Sequence, residues 1–292
     1  MKGPEKNEQV WQMSDILIIA AFLAFVVFLV AGRRKKYVAM AGWTILVLSL
    51  LTEVPEYLSL DNLLYPLIAV LSVPFLAITI RNLLRDEPIS LQLSNAAAIA
   101  TLIYVPFTFI PMLRDLLIGT VVNETIWLLH VLGHHAQLEG WNIIIRNGFA
   151  TEIILACTGI TAIAIMLGVT AGSEKLSLRH GILALLLVVP TIYVLNILRV
   201  VAVFIAWSDQ WFSFLPDPSG GSSGFGVGYA SFFWAHNVFA EILSLLVLVA
   251  IAYALFRVVP GLAEFARDLI ELYLQEVRAI AGRLRIFPGI PK

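Results

Sequence analysis

The chain has 292 residues, of which 60% are hydrophobic and only 13% charged, with a net charge of −1 and a mean hydropathy of +0.89. Soluble domains carry about a quarter charged residues, so an ordinary soluble domain is excluded and the chain falls among membrane proteins. A near-neutral balance offers no electrostatic footprint for nucleic acid, and no such partner is expected.

A membrane-crossing helix needs about 20 mostly apolar residues. In chain order the candidate spans are 15–32, 37–51, 63–80, 90–113, 150–172, 181–207 and 232–259. The expected class is therefore all-α: a polytopic integral membrane protein of about seven transmembrane helices, with residues 1–292 forming a single transmembrane domain. Pro66, Pro74, Pro106, Pro111 and Pro190 fall within or near these spans. Membrane helices tolerate proline because neighbouring groups re-satisfy the freed backbone.

The first apolar run is followed by "RRKK", Arg33 to Lys36. A signal peptide places its positive charge before the apolar run, so this order argues against one. Positive charge beside a span marks the cytoplasmic side, which puts the N-terminus outside and the C-terminus inside. Arg81, Arg85, Lys175, Arg179 and Arg257 then fall in inside loops. Glu53, Glu56 and Asp61 fall outside, with Arg114 and Arg146 in one long outer loop.

Two outer loops are rich enough in sequence to carry function. Residues 113–149 contain "DLLIGTVVNETIWLLHVLG", an amphipathic helix candidate, then "EGWNIIIRNG", a short hairpin or surface-lying segment. Residues 208–231 are rich in Trp, Pro and Gly. The tail, 260–292, has apolar residues at helical spacing and reads as an amphipathic helix on the cytoplasmic face.

The chain's only cysteine, Cys157, lies in "LACTGIT". A lone buried cysteine behaves as a small hydrophobe unless something activates it. At about 1.5 Å of rise per residue, Cys157 lies about 9 Å below the outer start of its span near Thr151. Arg199 lies about 12 Å below Trp207, and His236 about 6 Å below Phe232. Three spans running in alternating directions thus bring three polar residues to one depth near the outer leaflet. An arginine within a span costs about 2.5–3.5 kcal/mol on insertion scales and is a functional candidate by default. Its fixed charge favours a thiolate or a developing oxyanion. His236 can take the thiol proton and return one to a leaving amine. Asn196, on the same face as Arg199, could orient a carbonyl or the histidine. Glu152 and Glu241 are further carboxylates within or near spans; either could neutralise Arg199, and neither needs to be catalytic. The small neighbours Ala156, Thr158 and Gly159 would let a substrate backbone approach the thiol.

"ACTGI", "NILRVV" and "WAHN", in that order and roughly forty residues apart, resemble the signature of the exosortase/archaeosortase superfamily. Its members are polytopic membrane transpeptidases with a Cys, Arg, His arrangement. The resemblance implies that Cys157 is the nucleophile, Arg199 the charge stabiliser and His236 the acid/base, with Asn196, Thr158, Asn237 and Glu241 in support. It implies a substrate that is an exported surface protein ending in a short motif, a spanning helix and a basic cluster. Cleavage through a thioester would be followed by transfer to an amine-bearing phospholipid headgroup at the outer face of the cell membrane. The "ACTGI" form is most similar to the archaeosortase A subgroup, whose motif is Pro-Gly-Phe; some archaeal members have Arg where this chain has His236. No cofactor and no metal is implied.

Rival readings attach to other features. "GSSG", Gly221 to Gly224, matches the Gly-x-Ser-Gly of rhomboid-type serine proteases, but Ser223 sits in a Gly-rich loop rather than a span. His130 and His134, with His135 adjacent, share a helical spacing suited to a metal, without the Glu of a hydrolytic motif. Intramembrane Arg, Glu and His also occur in transporters or non-catalytic binders, which often show paired repeats; no repeat is visible. A membrane protease without transfer is the remaining alternative.

Overall fold

The computed structural model describes residues 12–32, 34–59, 64–173, 176–217 and 228–283. Ser223 of the Gly-Ser segment, three of the charges used for topology (Arg33, Asp61 and Lys175) and the tail beyond Arg283 lie outside these residues. The helices are α1 (Met13–Val30), α2 (Lys35–Ser59), α3 (Leu64–Leu84), α4 (Pro88–Phe109), α5 (Pro111–Val131), α6 (Ile160–Gly172), α7 (Leu178–Ser208), α8 (Tyr229–Phe233), α9 (Glu241–Val258) and α10 (Pro260–Arg283). Between α5 and α6 come β1 (Gln137–Glu139), β2 (Ile143–Arg146), β3 (Phe149–Glu152) and a 3-10 turn, Leu155–Thr158. Between α8 and α9 the chain forms a π-helical segment, Trp234–Ala240.

Among the described residues six helical stretches are long and apolar enough to cross a membrane. They are α1, α3, α4, α7, most of α2, and the continuous run Tyr229–Val258. The protein is a multi-pass membrane protein of predominantly helical fold. The region 150–172 differs from its expected span. Its helix begins only at Ile160, and the preceding residues are a strand and the 3-10 turn. The reason is local: Thr151, Ile153 and Ile154 favour extended backbone, and Gly159 at φ 77 breaks the path between turn and helix.

Two compact units divide the chain: the residues up to Ala98 with those from Glu264, and residues 99–263. In the first unit, Phe25 packs edge-on against Trp43 at 5.6 Å between ring centroids, and Trp43 meets Phe75 at 5.3 Å. Gly42 lets the ring of Phe25 in, since a Cβ there would stand 3.2 Å from it. The Trp43 indole N–H is satisfied by Ser94 Oγ at 3.0 Å, as a buried polar group requires. Tail helix α10 seats Glu276, 8% exposed, against Arg81 at 2.6 Å and Arg85 at 2.9 Å. Ile270, Leu274 and Val277 form an exposed apolar stripe on α10.

In the second unit, Ile118, Val121, Val122 and Leu129 of α5 share one buried cluster with Ile197, Val200, Val201 and Phe204 of α7. The helix read from 115–133 thus packs one apolar face on α7, but it is not cleanly amphipathic, since Leu116, Trp127 and Val131 on its opposite side are exposed. The three strands form an antiparallel sheet in the order β1-β2-β3. Asn147 (φ 53) and Gly148 (φ 83) make the two-residue turn between β2 and β3, the conformation that an Asn-Gly pair favours.

Candidate active site

Cys157 stands on the 3-10 turn, half-buried. Its own N–H donates to Ile154 O at 2.9 Å. Thr158 Oγ1 donates to Leu155 O at 2.7 Å and accepts from Ile160 N at 3.4 Å. Thr158 therefore closes the turn and caps the start of α6. The Cys157 carbonyl accepts from Asn196 Nδ2 at 2.7 Å. Asn196 is buried on α7, so of the alternatives read for it, a carbonyl or the histidine, the partner it takes is the main chain of the cysteine. The fit is close: a Cβ on Gly159 would lie 3.3 Å from Asn196 and 3.4 Å from Ile192.

Arg199 follows Asn196 by one helical turn, on the same side of α7. Its charge acts on Cys157, on His236 and on Glu241, which belong to three different elements. Arg199 Nε is buried and, among the described residues, has no hydrogen-bond partner. A buried guanidinium donor without a partner is costly to leave unmade and rare in folded proteins.

His236 sits in the π-helical segment, a feature that recurs at functional sites. Its Nδ1–H donates to Asn237 Oδ1 at 2.7 Å, which leaves the lone pair of the neutral ring on Nε2. The ring stacks on Phe232, with centroids 5.1 Å apart and planes 11° off parallel. Phe232 in turn rests against Trp207 at 5.0 Å. Imidazole position is thus held by a hydrogen bond on one side and an aromatic surface on the other. Glu241 lies within the field of Arg199. The carboxylate of Glu152 accepts from Asn142 Nδ2 at 3.1 Å and also acts on Cys157.

One cluster went unnoticed in the sequence. Asp209, just past α7, pairs with Arg146 at 2.7 Å and lies 3.8 Å from His134. Arg146 also donates to Ser208 Oγ at 2.6 Å, and Asn147 Nδ2 donates to Ser208 O at 3.2 Å. These bonds clamp the sheet to the end of α7 and so locate the strand that leads to Cys157. The Asn-Gly turn and the Ser-Asp pair at a helix end were the available signals. His130 Nε2 bonds to Ala136 O at 2.9 Å, and the centroids of the tilted His130 and His135 rings are 6.0 Å from each other.

The sequence model of the family described as transmembrane exosortase matches residues 10–234. Archaeosortase A of Haloferax volcanii is 27% identical over 286 residues, which cover 88% of this chain and 93% of that protein. Archaeosortase A of Natronomonas pharaonis is 30% identical over 206 residues, 62% of each chain. No solved structure matches the chain.

Proposed function

Because the chain belongs to the transmembrane exosortase family, we propose that it is a membrane-embedded cysteine transpeptidase that processes C-terminal sorting signals of exported surface proteins. The observation that carries this reading is that Cys157 and His236 are both seated on α7, the helix of Arg199: Asn196 donates to the Cys157 carbonyl at 2.7 Å, and the His236 ring stacks on Phe232, which rests on Trp207. That grouping supplies a nucleophile, a fixed positive charge and an acid/base, which is the set that acyl transfer needs.

In the proposed reaction, His236 Nε2 takes the Cys157 proton and the thiolate attacks the scissile carbonyl. The new C–S bond forms as the carbonyl π pair moves to oxygen, and Arg199 faces that oxyanion. Collapse breaks the C–N bond, and the imidazolium gives its proton to the leaving amine. A thioester on Cys157 remains. An amine, on this reading that of a phospholipid headgroup, attacks it and passes a proton to His236. The Cys157 thiolate leaves, and the substrate ends as an amide on the lipid. Glu241 tempers the field of Arg199. The substrate signal is a Pro-Gly-Phe-type motif followed by a spanning helix, and the site faces outward near the outer leaflet of the cell membrane.

The test is to incubate reconstituted protein with a peptide carrying the motif and helix and to look for a peptide thioester on Cys157 by mass spectrometry. Acylation that is abolished in Cys157→Ala is expected. Cleavage that continues unchanged in that variant would sink the proposal.

A further inference from the structure

Resting on the reading of Cys157 as nucleophile, we propose that the outer edge of β3 is the docking rail for the substrate's sorting motif, which adds to the sheet as a fourth strand. The Ile153 N–H donates to Asn142 O at 2.8 Å, and the register pairs Glu152 with Ile143 and Thr151 with Ile144. Main-chain groups alternate sides along a strand. Phe149, Thr151 and Ile153 therefore turn theirs toward β2, and Ala150, Glu152 and Ile154 turn theirs outward. Among the described residues, no hydrogen bond engages the outward groups of Ala150 and Glu152 or the N–H of Ile154. All three residues are exposed. The Ile154 carbonyl is taken by the Cys157 N–H, so the free ladder ends at the nucleophile's own turn.

An edge of this kind is a template for an extended peptide, with main-chain bonds giving affinity. The opposite edge, β1, is also exposed, but only β3 runs on into Cys157. Ala150 offers little side-chain bulk, and the Glu152 carboxylate is taken up by Asn142. The direction follows from connectivity. Both chains pass from an extended segment into an apolar helix, α6 here and the signal's spanning helix in the substrate, so the motif lies parallel to β3. Proline has no N–H to give. The ladder is complete only when the proline of the motif turns away from β3 and the residues on either side of it turn toward β3.

This predicts a parity. Binding is read on reconstituted Cys157→Ala by fluorescence anisotropy, using a labelled peptide with a Pro-Gly-Phe motif and an apolar helix, N-methylated at one amide at a time. Methylation at the glycine, and at the residue before the proline, should weaken binding about fivefold or more each. Methylation at the phenylalanine, and two residues before the proline, should change it less than twofold. Ala150→Pro, which removes an outward N–H that an edge strand can spare, should weaken the unmodified peptide similarly. Equal effects at all positions, the opposite parity, or no binding of the unmodified peptide would overturn the proposal. Because turnover is not needed, the two readings separate. Alternating binding with no acylation in the wild-type chain removes the transpeptidase and keeps the rail. Acylation without alternation does the reverse.

Discussion

Asn196 holds Cys157 by its main chain: the amide of one donates to the carbonyl of the other at 2.7 Å, across 39 residues of sequence. The bond fixes the 3-10 turn on α7 and thereby sets where the thiol stands relative to Arg199, one turn further along the same helix. On the proposed reading, the nucleophile is thus positioned by a residue that need not touch substrate.

Asn196→Ala should leave the Cys157 carbonyl without its partner, at a cost of about 1–3 kcal/mol in stability. The acylation rate at saturating substrate should fall more than apparent affinity does, because the thiol is misplaced rather than the peptide released. Single-turnover kinetics and thermal unfolding together check this; an unchanged rate with a lowered melting temperature would make the bond purely structural.

Gly159→Ala should destabilise by about 1–2 kcal/mol, since the residue is left-handed at φ 77 and the added methyl would press on Asn196 at 3.3 Å. The same substitution at Gly32, where a Cβ meets nothing within 4 Å, serves as the comparison. Equal melting temperatures for the two variants would contradict this account of the turn.

Arg199→Ala should slow acyl-enzyme formation about 10²–10³-fold, the range seen when a preorganised oxyanion donor is lost. Lys at this position keeps the charge but not the planar fork, so it should recover only part of the rate. A decrease of only a few fold in the alanine variant, measured in a single turnover, would remove Arg199 from the chemistry.

Glu276→Gln should loosen the tail helix, because one buried carboxylate serves both Arg81 and Arg85. Loss of these charge-assisted bonds should cost about 1–3 kcal/mol. Limited proteolysis within α10 should accelerate, while acylation of Cys157 at low temperature should stay near the wild-type rate. A tail as resistant as before would show that apolar contacts alone hold it.

Much of the molecule was legible because hydropathy is local. Runs such as "ILIIAAFLAFVVFLV" can be buried only in lipid or protein, whatever the rest of the chain does. The segment 139–148 reads as either a hairpin or a surface-lying stretch, and Asn147 and Gly148, whose backbone preferences are their own, make the turn that decides for the hairpin. The expected helix through 150–157 failed for a related reason. An apolar stretch with β-branched residues suits either a span or a strand, and periodicity alone does not separate them.

The amino-acid sequence by itself determined the membrane class and the order and approximate limits of the long helices, and it singled out Cys157, Arg199 and His236 as candidate site residues. Only the tertiary structure decided that Cys157 stands on a 3-10 turn, that Asn196 grips its carbonyl, that His236 rests on Phe232 within a π-helical segment, and that β3 runs on into the Cys157 turn with one edge unpaired among the described residues. The division is physical. Burial preference and turn propensity belong to each short segment, whereas a hydrogen-bond partner, a stacked ring or an unpaired strand edge exists only once segments far apart in sequence are packed together.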